Sequence, residues 1–225
     1  LEFQMGHDSL PPRRRFLGSL ALAGAALALP TPSGAQRTPT VPSGPDDWDH
    51  RWLARLTRPN MLVFDTTGHG NGDLFGGPTR YLDAMRDGYG VAATDVVAVM
   101  ALHGTAWVAG LDDERWARHA IGRAAAVTDP DTTAPATRNI FRTHADRSRP
   151  TLESVQARGT IVLVCNNTLR RVSRELAAGH PDRTAETVYA DLRAGILPGV
   201  TVVPAVLAAL QMAQTRGCAY ARGTA

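Results

Sequence analysis

The chain of 225 residues carries 24 basic side chains, all of them arginine, against 21 acidic ones, so its formal charge is only +3. That near balance excludes a strongly polycationic nucleic-acid binder, and a content of 44% hydrophobic and 20% charged residues excludes a disordered or fibrous chain. Two cysteines, Cys165 and Cys218, allow at most one disulfide and exclude a cysteine-rich scaffold.

Residues 1–4 read as a cloning scar ahead of Met5. Arg13-Arg14-Arg15-Phe16-Leu17-Gly18 then precedes an apolar run over 19–29 and a small-residue stretch ending at Ala35. This is the pattern of a twin-arginine export signal, with cleavage expected after Ala35 and a periplasmic or secreted destination. The run is too short to cross a bilayer core of about 30 Å, so no stable transmembrane segment is expected after cleavage. Residues 36–47, rich in Pro, Ser and Thr, read as a linker, and 48–225 as the folded domain.

Within that domain, Trp48 and Trp52 suit one face of a short helix. Met61-Leu62-Val63-Phe64-Asp65 is a continuous apolar run, the signature of a strand buried on both faces. A helix entered near Pro78, with Tyr81, Leu82 and Met85 on one side, should stop at Gly88 and Gly90. A second buried strand is expected over 95–102. Asp112 then caps a helix carrying Trp116, Ala120 and Ile121. Residues 128–150, polar and proline-containing, read as a long excursion of the kind that forms lids or stays disordered. A short helix over 153–157, a strand over 160–165, helices over 169–178 and 184–194, a strand over 200–203, a helix over 205–216 and a strand over 219–221 complete the chain. Strands alternating with helices predict a single three-layer α/β domain around a mainly parallel sheet.

In such sheets ligands bind beyond the carboxyl ends of the strands. Three of these ends carry chemistry: His69 among glycines after the first strand, His103-Gly104 after the second, and Cys165-Asn166-Asn167-Thr168 after the third. Cys165 precedes a helix, where the dipole favours a thiolate, although a buried cysteine is also an ordinary core residue. Cys218 reads as packing. His103 suits a proton carrier, a metal ligand or a hydrogen-bonded structural histidine, and His69 a metal ligand or a turn residue. The pair Arg170-Arg171 either raises the anion affinity of the rim or is solvated surface. Gly68-x-Gly70-x-Gly72 departs from the dinucleotide fingerprint, so NAD is not expected, while a metal or other cofactor stays open.

The runs Ile161-Val162-Leu163-Val164-Cys165-Asn166-Asn167-Thr168-Leu169-Arg170-Arg171, Gly195-Ile196-Leu197-Pro198-Gly199-Val200-Thr201-Val202-Val203-Pro204-Ala205 and Arg216-Gly217-Cys218-Ala219-Tyr220 resemble the DsrE/DsrF-like sulfur-relay family, in particular its exported branch. The resemblance implies a DsrE/F-like subunit that assembles as a trimer or hexamer. It also implies a strand-end cysteine, here Cys165, that carries sulfur as a persulfide. Cys218 falls where relatives often have an aromatic residue, and the excursion at 128–150 is not part of the minimal relay subunit. The expectation is therefore an exported sulfur-handling protein that carries sulfur as a persulfide or cycles a thiol at Cys165, with substrate or cofactor contacts at His69, His103, Asn166, Asn167, Thr168 and Arg170 and no nucleic-acid partner. The alternatives are a periplasmic metal- or cofactor-binding protein that uses the His69/His103/Cys165 rim, and a non-catalytic oligomeric subunit. The sulfur donor and acceptor are not specified by any of these residues.

Overall fold

The computed structural model describes residues 48–143, 149–178 and 180–223, all within one compact unit, Pro39–Ala225. The expected export signal and linker at 1–47, and residues 144–148 of the excursion, lie outside the described residues.

Five strands form one sheet, β1 (Asn60–Thr66), β2 (Val96–Leu102), β3 (Ile161–Cys165), β4 (Val200–Val203) and β5 (Ala219–Arg222), in the order β4-β3-β2-β1-β5. Every pairing is parallel, which is why the strands needed helical crossovers and why the inner strands β2 and β3 are unbroken apolar runs. The helices are α1 (Arg51–Ala54), α2 (Gly76–Asp83), α3 (Asp113–Arg118), α4 (Ile121–Ala124), α5 (Leu152–Ala157), α6 (Asn166–Ala177), α7 (Ala185–Ala194) and α8 (Val206–Thr215). Asp112 caps α3 as its sequence predicts, accepting from the Arg115 amide. The predicted continuous helix through Ala120 is instead broken, because Ala120 takes a left-handed conformation between α3 and α4. Among the described residues no helix is long and apolar enough to cross a membrane.

From β1 to β4 the chain steps across the sheet in one direction, and it then returns through α8 to place β5 beside β1. Right-handed crossovers in opposite directions deliver their helices to opposite faces, and the two cores reflect this. The first gathers Met100, Leu102, Val162 and Val164 of the sheet with Trp116 of α3, Leu169 and Val172 of α6, and Val188 and Leu192 of α7. The second gathers the alternate residues Val63, Val99, Ala101, Leu163 and Cys165 with Trp52 and Leu53 of α1 and Val206, Ala209, Leu210 and Ala213 of α8. The pleat, with its period of two, divides each strand between the cores.

The excursion does not stand off as a lid in its described part. Ala136, Ile140 and Phe141 are buried in the first core, and the buried Asn139 side chain donates to the Ala109 and Leu111 carbonyls while accepting from the Phe141 amide. Apolar residues at 136, 140 and 141, too sparse to make a periodic element, were sufficient to pin a polar segment.

Candidate functional site

The chain leaves β3 toward the first core through α6, whereas it leaves the neighbouring β4 toward the second core through α8. Adjacent strands whose exits diverge open a crevice at the carboxyl edge, the usual ligand position in an open α/β sheet. Cys165 occupies this point. It is the last residue of β3 and the N-cap of α6, and its Sγ accepts the amide of Val206, the first residue of α8, at 3.4 Å. The starts of α6 and α8 therefore meet at one residue, with the sulfur contacted by the α8 amide. Cys165 is 6% exposed, and both cysteines are free.

One strand over, Leu102 pairs with Val164, so His103 and Cys165 follow in step on the same side of the pleat. Asp65 of β1 shares that side, since it pairs with Ala101. His103 Nε2 lies 2.7 Å from Asp65 Oδ1, and the Tyr220 hydroxyl of β5 donates to Asp65 Oδ2 at 2.9 Å. Asp65 thus accepts on both oxygens, as a carboxylate does, which makes Nε2 the donor in the imidazole. The bond to Asp65 is the leading cause that holds the Tyr220 phenol above its ordinary range, so it remains a hydrogen donor at neutral pH. The side chains of His103 and Asp65 are 25% and 17% exposed, and both face the rim.

The turn that carries His103 is tightly built. The His103 amide continues the ladder to the Thr66 carbonyl at 3.0 Å, and the Thr67 carbonyl accepts from Thr105 at 2.8 Å. Gly104 between them has φ +58, and a Cβ there would collide with the Thr67 carbonyl oxygen. Only glycine accommodates both conditions.

The remaining expected residues are placed differently. α6 begins three residues earlier than its periodicity suggests, so Asn166, Asn167 and Thr168 form its first turn. Asn166 and Thr168 are buried and Asn167 is exposed. The Asn166 side-chain Oδ1 accepts from the Tyr189 hydroxyl at 2.5 Å, and the Arg170 guanidinium lies over the Tyr189 ring, 4.4 Å from its centre. Arg171 pairs with Glu175 at 2.6 Å, so both guanidiniums are engaged by neighbouring side chains. His69 is drawn toward the first core, its Nε2 lying 3.0 Å from the Ala125 carbonyl oxygen and its ring 5.7 Å from that of Phe141. Among the described residues no group of three or more His, Cys, Asp or Glu side chains is arranged to hold a metal ion. The glycine run after β1 leads into a 3-10 turn, Gly70–Phe75, before α2. Cys218 is buried, and desolvation pushes its thiol up to about 11.

Asp65 and Tyr220 were not anticipated as site residues. A carboxylate closing an apolar strand was a usable signal for Asp65, because burial of such a group demands partners. Tyr220 offered none, since only the pairing of β5 with β1 brings it to Asp65. Comparison with known protein families and with curated proteins finds no match for the chain.

Proposed function

We propose that the protein is an exported sulfur carrier that takes sulfur onto Cys165 as a persulfide. The observation that carries this reading is the position of the Cys165 sulfur at the diverging exits of β3 and β4, with the Val206 amide of α8 donating to it at 3.4 Å. The same amide is placed to donate to a persulfide held at this position. The resemblance of the 161–171 run to DsrE/DsrF-like carriers supports the same assignment, and the Arg13-Arg14 motif supports delivery outside the cytoplasm.

In the transfer, the Cys165 thiolate attacks the outer sulfur of a donor persulfide. The donor S–S bond breaks as a new one forms at Cys165, and the departing thiolate takes up the proton that Cys165 released. No external oxidant or reductant is consumed. At 6% exposure the sulfur is less accessible than a free thiol, so transfer to it is slower.

The test is mass spectrometry of the purified protein after treatment with a low-molecular-weight persulfide. One added sulfur atom should map to Cys165, disappear in Cys165→Ser and persist in Cys218→Ser. Loading at Cys218 alone, or none at all, removes the proposal. The trimer or hexamer that the resemblance implies belongs to the same reading and is checked by light scattering, where a monomer counts against it.

A further inference from the structure

The Asp65–His103–Tyr220 cluster is not required for a cysteine merely to exist at the sheet edge, yet three separate strands converge to build it. The His103 ring presents Nε2 to Asp65 on β1, which leaves Nδ1 as its second nitrogen, and His103 and Cys165 directly follow the paired residues Leu102 and Val164 of β2 and β3. Tyr220 and His103 both donate to Asp65, so the proton on the neutral ring is held at Nε2 and Nδ1 carries the lone pair. Arg222 stands opposite Asp65 on β5, and its charge pulls the Tyr220 phenol down against the effect of Asp65. The His103 side chain is 25% exposed while Cys165 is 6% exposed, so the imidazole reaches solvent and the sulfur is largely covered.

We infer that His103 is the proton carrier for Cys165, with Asp65 and Tyr220 as positioning residues that fix its tautomer. The Val206 amide donates to the sulfur and leaves its S–H proton available for transfer to Nδ1, in contact or through one water, within the reach of a general base. His103 accepts the thiol proton as the thiolate forms, and returns it to the thiolate that leaves the donor persulfide. Charge and atoms balance over the two steps. The imidazolium of the intermediate state is stabilised by Asp65, as a carboxylate stabilises any cation it holds.

This inference rests on Cys165 as the working thiol, and alkylation separates it from sulfur loading. The rate of iodoacetamide modification, assigned to Cys165 by peptide mass mapping, is compared for the whole wild-type protein and for His103→Ala. The variant should react about 100-fold more slowly, and added imidazole should restore much of the rate, which a purely structural defect does not allow. Asp65→Asn should slow the reaction about 10-fold in protein that stays folded, and this isosteric variant decides the matter if His103→Ala does not fold. A rate within about twofold of wild type in either folded variant overturns the inference, as does a slowed His103→Ala that imidazole fails to rescue. A His103-dependent alkylation rate without any persulfide loading sinks the sulfur-carrier reading and leaves the proton carrier standing. Loading that persists while alkylation ignores His103 does the reverse.

Discussion

Replacing Gly104 with alanine tests whether the carboxyl edge is held by the crossing of the 103–105 turn over Thr67. At φ +58 an L-residue costs about 1–2 kcal/mol. The added Cβ also runs into the Thr67 carbonyl oxygen, with the carbonyl carbon at 3.1 Å. Relief requires the turn to lift, and the Thr67 oxygen that blocks the Cβ is the acceptor for Thr105 at 2.8 Å and Ala106 at 3.3 Å. Loss of one such bond adds about 1 kcal/mol. The expected destabilisation is therefore about 2–3 kcal/mol, or a fall in Tm of roughly 5–10 °C for a domain of this size. Gly88→Ala is the control, since a Cβ there meets nothing within 4 Å and Gly88 has no positive φ. It should be neutral or stabilising by up to about 1 kcal/mol. Both variants are compared with wild type by thermal and urea unfolding. A Gly104→Ala protein that melts with Gly88→Ala refutes the steric account of this turn. The same lift moves His103 from Asp65, so Cys165 alkylation should slow in Gly104→Ala and stay unchanged in Gly88→Ala.

Val206→Pro removes the amide that donates to Cys165 at the first helical position, where proline is tolerated, and the preceding Ala205 is already extended. Persulfide loading should fall about 10-fold, the range expected for losing one hydrogen bond to a charged group, while α8 persists by circular dichroism; unaltered loading argues against a role for this donor. Asp191 presents a separate network, in which it meets His119 at 2.8 Å and Arg115 at 3.2 Å and also pairs with Arg118. Burial pushes its carboxyl up, but the bonds from His119 and Arg118 and the charges of Arg118 and Arg115 outweigh this and hold it below the ordinary carboxylate range. Asp191→Asn should cost about 2 kcal/mol at neutral pH. A carboxyl depressed in the folded state stabilises above its unfolded pKa of about 3.9 and loses that contribution as pH falls through the folded value. Urea unfolding at a series of pH values should therefore show the gap between variant and wild type closing in acid, and a gap independent of pH rejects the assignment.

The sequence alone was enough for the α/β class and for the parallel sheet, because strands such as 161–165 and 96–102 are apolar on both faces and the intervening stretches have helical caps and periodicity. It also placed Cys165 and His103 at strand ends, since the change from an apolar run to Gly, Asn or Thr marks where a strand stops. Periodicity misjudged the start of α6 because Asn166, Asn167 and Thr168 are polar residues in a first turn, and two of them are buried by contacts from elsewhere in the fold. The order β4-β3-β2-β1-β5 was a tertiary decision with no local signal. It alone sets Cys165 between the starts of α6 and α8, and it carries Tyr220 across 155 positions of chain to Asp65. His69 and His103 look alike in sequence, each beside a glycine after a strand. They were separated by packing, since the first lies against Phe141 and Ala125 at the first core and the second is held at the rim by a carboxylate. Hydrogen-bond partners far apart in sequence are selected by the register of strands that touch only in the folded chain, and so the chemistry of this edge belongs to the tertiary structure.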